Sequence, residues 1–208
     1  MNKEDIIKAI SEIKKQEKRK FSQSVDLIIN LQKFDAKKES VSLVLALPYP
    51  IKKKRVCAFL EKKSDIVDTI TKPEFDLYKD KKKMKNLGKS YDFFIATGKL
   101  MPAVATNFGR VLGPLGKMPS PQLGILIDES EAGIKSLLGK IDTMIKIRSK
   151  EPSLKLAAGK EDMEDEKIAQ NILIIYNAVL NALPKKMEQI KSVMVKLSMT
   201  KPVKIKIK

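Results

Sequence analysis

Apolar and polar positions repeat along this chain with two different periods. Apolar residues spaced by three and four positions predict amphipathic helices, whereas alternating or short continuous apolar runs predict strands. The predicted helices cover residues 4–16, 64–70, 100–112, 131–138, 167–183 and 187–190. The predicted strands cover residues 25–31, 41–47, 55–60, 91–96, 123–127, 144–147, 154–157, 193–197 and 203–207.

The strands in the outer thirds of the chain differ from those in the middle third. The outer strands alternate, which predicts one buried and one solvated face, and the middle strands are continuously apolar, which predicts a parallel sheet covered on both faces. Pro48, Tyr49 and Pro50 mark a candidate boundary between the two patterns. We therefore expect a discontinuous α+β domain, residues 1–48 and 144–208, with an α/β domain, residues 49–143, inserted into it. The two chain crossings would form a hinge.

Composition narrows the function more than the fold. The chain has 208 residues, and its 42 Lys and Arg against 25 Asp and Glu leave a net charge of +17, which favours a nucleic-acid partner. The alternative explanation of this positive charge is general solubility or adaptation to a hot or salty habitat. Histidine is absent and Cys57 is the single cysteine, in an apolar run, so we expect a buried structural thiol, no metal and no cofactor. No apolar stretch approaches the length of a membrane span and the N-terminus lacks a signal-peptide core, which predicts a cytoplasmic protein.

The segment 109–121 concentrates glycine, proline and two cations, Arg110 and Lys117. Proline and glycine disfavour helix, so this segment is predicted to be a shaped loop. A phosphate-binding loop would need glycine where Val111 stands and a hydroxyl where Met118 stands. The loop therefore has two interpretations, a rigid structural turn or a positively charged surface for RNA.

The amino-acid sequence of this segment resembles the ribosomal protein L-one family, the first protein of the large ribosomal subunit. Motifs that carry the resemblance occur in order along nearly the whole chain. They are Lys20-Phe21, Ser24-Val25-Asp26-Leu27, Leu47-Pro48, Tyr91 to Ala96, Met101-Pro102-Ala103-Val104, Gly109 to Pro119, Gly159-Lys160, Val193 to Lys196 and Ser198-Met199. The lysine-rich middle and the short C-terminus are similar to the archaeal form.

The resemblance implies a split outer domain and an inserted Rossmann-like α/β/α domain. It also implies a non-enzymatic protein that binds large-subunit rRNA, forms the mobile stalk near the tRNA exit site and assists release of deacylated tRNA. Its partners would be that rRNA, exit-site tRNA, other ribosomal components and its own mRNA, which such proteins repress. The alternative from the residues is a Rossmann-like RNA-modifying or nucleotide-binding enzyme with an RNA-binding appendage.

The resemblance assigns rRNA binding to residues that are far apart in sequence. They are Lys20, Phe21, Ser24, Asp26, Lys160, Ser198, Met199 and Thr200. To these we add Lys201 from its own charge, and the segment 109–121 offers Arg110 and Lys117 as a second surface toward RNA or tRNA. From the residues alone, Phe21 and Met199 are more readily interpreted as core residues. The family has Gly-Pro after Ser/Thr-Met, but here Thr200 and Lys201 follow Met199. We expect an extended backbone at Thr200 and an added phosphate contact from Lys201.

Overall fold

A computed structural model describes residues 1–16, 19–35, 41–78, 80–120, 124–126, 129–149 and 151–206. The helices are α1 (Lys3–Lys14), α2 (Lys81–Ser90), α3 (Met101–Leu115), α4 (Glu131–Thr143) and α5 (Asp165–Ala182), with 3-10 turns at Lys72–Tyr78 and Lys186–Gln189. The strands are β1 (Ser24–Leu31), β2 (Ser42–Ala46), β3 (Val56–Phe59), β4 (Asp68–Ile70), β5 (Phe93–Thr97), β6 (Ile125–Leu126), β7 (Met144–Arg148), β8 (Ser153–Lys160), β9 (Ile190–Leu197) and β10 (Val203–Ile205).

Two compact units divide the chain. The outer unit contains Met1–Ile51 and Thr143–Lys208, and the inserted unit contains Lys52–Asp142. The domain boundaries expected from sequence were 48/49 and 143/144. They lie close to the boundaries of the compact units, which are 51/52 and 142/143. The mixed α/β fold class predicted from sequence is confirmed.

The outer unit is built on an antiparallel sheet with strand order β10-β9-β1-β8. Val25, Leu27 and Ile29 of the central strand β1 point to the buried face and alternate with half-exposed residues. Apolar residues of α1 and α5 complete this core. Strands β2 and β7 form a separate antiparallel pair. The alternation in the sequence thus correctly predicted a sheet with one buried face.

The inserted unit contains a parallel sheet with order β4-β3-β5-β6. Every residue of β3 is buried, on both sides of the strand, as expected for a sheet covered on both faces. Phe59 lies 5.0 Å from Phe108 and 5.8 Å from Phe94 between ring centroids, inside an aromatic cluster. Cys57 is buried beside them, and this burial raises the pKa of its thiol to about 12, so it is the structural thiol predicted.

Three of the predicted helices are wrong in extent or type. Residues 64–70 form no helix but lead into β4, because the β-branched residues Val67, Thr69 and Ile70 suit a strand beside β3. Gly139 does not end α4, since the apolar stripe that begins at Ile134 continues to the buried Ile141. The 187–190 segment is a 3-10 turn rather than α-helix.

The segment 109–121 is helical up to Leu115 and non-helical from Gly116 to Ser120, so the loop prediction is wrong for the first half of the segment. Helix α3 continues to Leu115 even though Pro114, in its last turn, has no N–H to donate to the Arg110 carbonyl. The helix ends at Gly116, whose φ of 70° is left-handed. Gly116 N–H donates to the Gly113 carbonyl and Lys117 N–H to the Leu112 carbonyl, a Schellman motif. Leu123, Ile127, Pro121 and Ile207 lie outside the described residues.

Lys117 has a structural contact inside the inserted unit. Its Nζ donates to the carbonyl oxygens of Gly88, at 2.8 Å, and Tyr91, at 2.7 Å. These carbonyls lie at the C-terminus of α2, where backbone acceptors lack intrahelical partners and the helix dipole favours a cation. The ammonium of Lys117 therefore joins the end of α3 to the end of α2.

Replacing Lys117→Met should destabilise the inserted unit, because the side chain keeps its length and leaves two carbonyls without a donor. We expect the free energy of unfolding to fall by about 1–3 kcal/mol. Native-state hydrogen exchange of the α2 amides measures this loss. The control is Lys83→Met, an exposed lysine on the same helix. Equal exchange rates in the two variants would show that Lys117 has no structural role.

Candidate nucleic-acid interface

Three strand ends meet at one edge of the outer unit's sheet. Strand β1 begins at Ser24, directly opposite Lys160 at the end of β8, and Val25 lies opposite Leu197 at the end of β9. A bulge between Val25 and Asp26 shifts the register with β8. The segments 20–24, 160–163 and 197–201 therefore adjoin, although they are far apart in sequence.

A tight turn follows β9 and presents Met199. The Thr200 N–H donates to the Leu197 carbonyl at 3.2 Å, and the Leu197 N–H donates to the Thr200 hydroxyl at 2.9 Å. Thr200 is not among the described residues with positive φ. A β-branched residue is thus accommodated without the left-handed backbone that would favour glycine, and its hydroxyl stabilises the turn.

Phe21 and Met199 are exposed rather than part of the core. Their side chains are 54% and 64% exposed, respectively. Apolar side chains of this size at the surface lose the free energy that burial would supply. The interpretation of these two residues as core residues is therefore wrong, and both are available to a partner.

Exposed cations accompany these apolar side chains. Lys20, Lys160 and Lys201 are all exposed, one from each of the three adjoining segments. Lys201 is fixed through its backbone, because its N–H donates to Oε1 of Gln16 at 3.2 Å. The Ser198 hydroxyl accepts from the Ser24 N–H at 3.3 Å, and Ser24 and Ser198 remain half-exposed. The structure thus brings the members of the predicted primary site to one edge of the sheet.

Asp26 lies on the solvated side of β1, opposite Lys196 of β9. Partial burial raises the pKa of its carboxyl above the usual value, and the charge of Lys196 offsets part of this increase. A carboxylate whose ionised form is disfavoured by burial does not serve stability at neutral pH. Its acceptor oxygens are suited to hydroxyl or amino protons of a partner.

Gln23 joins the three segments, and the motif analysis did not identify it. It is fully buried, and its Oε1 accepts from the Met199 N–H at 3.1 Å. Its backbone carbonyl accepts from the Glu161 N–H at 2.8 Å, and its own N–H donates to the Glu161 carboxylate at 3.3 Å. Nε2 of Gln23 has no hydrogen-bond partner in the described part of the chain. The alternation along the strand offered a signal, since Gln23 continues the series of buried positions 25, 27 and 29 of β1.

The second predicted surface, Arg110 and Lys117, is not a pair of equivalent cations. Arg110 is exposed on α3 and borders a cavity of about 360 Å³ that Tyr78, Lys81 and Asn107 also line. Lys117 is only half-exposed, and its ammonium binds the two carbonyls at the end of α2. The geometry therefore leaves Arg110 available to a partner and gives Lys117 a structural role.

The enzyme alternative would use a cleft of about 880 Å³ in the inserted unit. The cleft lies beyond the carboxyl ends of β3 and β5, the usual ligand position of open parallel sheets. The lining carries four carboxylates together with three lysines, so its charge does not single out phosphate groups; these residues are Glu61, Asp65, Glu129, Glu131, Lys62, Lys63 and Lys99. No acidic, cysteine or histidine cluster suitable for a metal occurs among the residues that the structure describes.

No helix in the described ranges is both long enough and apolar enough to cross a membrane.

Comparison with known proteins agrees with the sequence motifs. The family described as "Ribosomal protein L1p/L10e family" matches residues 13–201. The large ribosomal subunit protein uL1 of Archaeoglobus fulgidus is 34% identical, over 99% of each chain. The uL1 proteins of Methanothermococcus thermolithotrophicus and Thermococcus kodakarensis are 34% and 31% identical, over 99% and 98% of both chains.

These matches cover both units and nearly every motif on which the resemblance rests. Proteins of this family are structural components of the ribosome rather than enzymes, and they function in the cytoplasm. The predicted class and location are thus confirmed, and the chain belongs to the ribosomal protein L1p/L10e family.

Proposed function

We propose that this chain is a structural constituent of the large ribosomal subunit that binds large-subunit rRNA directly. The observation that carries the proposal is the pairing of two exposed apolar side chains, Phe21 and Met199, with exposed lysines at adjoining strand ends. We name this surface, made of residues 20–24, 160 and 198–201 together with Asp26, the strand-end surface.

The chemistry of the strand-end surface suits folded RNA. Structured RNA is recognised through its shape, ribose 2′-hydroxyls and phosphates, and through bases stacked on apolar side chains. Phe21 and Met199 would cover ribose or base faces, and Lys20, Lys160 and Lys201 would neutralise phosphates. Ser24, Ser198 and Asp26 would hydrogen-bond ribose hydroxyls or base amino groups. Thr200, by closing the turn, would support Met199 without contacting RNA through its hydroxyl.

The wider role of the protein is proposed from the family resemblance. The chain would form the mobile stalk near the tRNA exit site, and its inserted unit would follow and help release deacylated tRNA. Arg110 is the inserted unit's candidate contact with tRNA or a further rRNA segment. Repression of the protein's own mRNA would use the strand-end surface, since a messenger that imitates the rRNA site presents the same chemistry.

Truncating Phe21→Ala or Met199→Ala should weaken rRNA binding without unfolding the protein. Both side chains are exposed, so we expect little change in stability and a loss of about 1–3 kcal/mol in binding free energy, as for other stacked bases. Filter binding to a large-subunit rRNA fragment, with thermal unfolding in parallel, measures both quantities. The matched control is Met187→Ala, a 43% exposed methionine of the same unit. Unchanged affinity in both test variants would refute the strand-end surface.

Lys201 should contribute one phosphate contact, because it is exposed beside Met199 and its backbone is held by Gln16. Replacing Lys201→Ala should reduce the slope of log affinity against log salt by about 1. The measurement is a salt titration of rRNA binding for both proteins. Lys8→Ala, an exposed lysine on α1, is the control. An unchanged slope for Lys201→Ala would show that Lys201 makes no phosphate contact.

A further inference from the structure

Gln23 is the point at which all three segments of the strand-end surface are joined. Its backbone bonds in both directions to Glu161, next to Lys160, while its side chain accepts from the Met199 N–H. Phe21 lies only two residues before it. A displacement of Gln23 would thus alter the positions of Phe21, Lys160 and Met199 relative to one another.

The orientation of the Gln23 amide follows from its neighbour. A backbone N–H needs an acceptor, so the oxygen of the amide must face Met199 at 3.1 Å. The amide nitrogen, buried in the same place, has no partner among the described residues. A buried polar side chain with one end unsatisfied needs an explanation, since an apolar residue of similar size would fill the volume without this cost. The bond to Met199 supplies the explanation.

The turn that carries Met199 has other anchors, but they act on its neighbours. Ser198 accepts from the Ser24 N–H at 3.3 Å, and Lys201 donates to Gln16 at 3.2 Å. Among the described residues, Gln23 is the one whose side chain bonds the main chain of Met199 itself. Without this bond the residues on either side of Met199 would stay anchored, and the exposed Met199 would lose its fixed position.

We propose that Gln23 is a positioning residue for RNA recognition, which fixes Met199 relative to Phe21 before RNA arrives. This inference rests on the proposed function, because it assumes that the strand-end surface binds rRNA. Fixing the two apolar side chains in advance removes an ordering cost that binding would otherwise have to meet. Gln23 acts through Met199 and needs no contact with RNA of its own.

A double-mutant cycle on rRNA affinity tests this role. Gln23→Met should weaken binding about tenfold in the wild-type chain, and much less when Met199→Ala is already present, because the residue to be positioned is then gone. Equal losses in both backgrounds would overturn the proposal. If Phe21→Ala and Met199→Ala leave affinity unchanged, the proposed function fails instead, which distinguishes the two results.

The chain offers a matched control in Gln189. This glutamine is also fully buried, and its Oε1 accepts from the Lys185 N–H at 3.2 Å, beside the opposite end of β9. Gln189→Met should keep wild-type rRNA affinity, and a loss equal to that of Gln23→Met would indicate general destabilisation and overturn the proposal.

Amide exchange in the wild-type chain is a test independent of variant folding. The Met199 amide should exchange its hydrogen more slowly than in an unstructured peptide, because it is bonded to Gln23. Exchange at the rate of an unstructured peptide would contradict the proposed role of Gln23.

Discussion

The antiparallel pairing of β1 with both β8 and β9 is the constraint on which the outer unit depends. This pairing places residues from the start of the chain between two segments that follow the insertion. It buries Val25, Leu27 and Ile29 against α1 and α5, and it brings Ser24, Lys160 and Leu197 to one edge. The core and the candidate interface are consequences of the same register. A register shift of one residue would exchange the two faces of β1. Both the buried core and the meeting of the three strand ends would then be lost.

The two sheets differ in the side chains that they leave available to a partner. In the inserted unit, β3 is buried on both sides, so the side chains of this central strand are unavailable to a macromolecule. In the outer unit, only one face is buried, and strand ends and turns carry exposed lysines and apolar residues. In the proposed function, a polyanion would therefore reach these side chains without a rearrangement of the core. The inserted unit presents Arg110 from a helix surface, and Lys117 maintains that helix's connection to α2.

Periodicity predicted the strands of the outer unit and α5 well, because a half-buried strand and an amphipathic helix leave opposite signatures. It failed where tertiary contacts decide the structure. The strand at 68–70 forms because β3 offers a parallel edge, and α3 extends through Gly113 and Pro114 because its true stop is the left-handed Gly116. The β-branched residues Val67, Thr69 and Ile70 are compatible with this strand, but its pairing with β3 decides the structure.

The candidate site shows the same limit. Motif resemblance identified Phe21 and Met199, but only the structure shows that both are exposed and adjoin the same edge. Gln23 has no chemical signature as a single residue, since its importance comes from bonds to Glu161 and Met199, both distant in sequence. Lys117 presents the reverse case, because a cation in a glycine-rich segment suggests RNA although its ammonium binds two carbonyls within the unit.

The central claim is that rRNA binds at the strand-end surface, and directed cleavage tests it most directly. Cys57 is buried, so a cysteine introduced at an exposed position can be labelled selectively with a hydroxyl-radical source. Ser22→Cys places the source within the strand-end surface, and Met187→Cys places it elsewhere on the outer unit. If rRNA binds at the strand-end surface, we expect strong cleavage of one compact rRNA element from position 22 and weak cleavage from position 187. Strong cleavage of that element from position 187, with none from position 22, would contradict it.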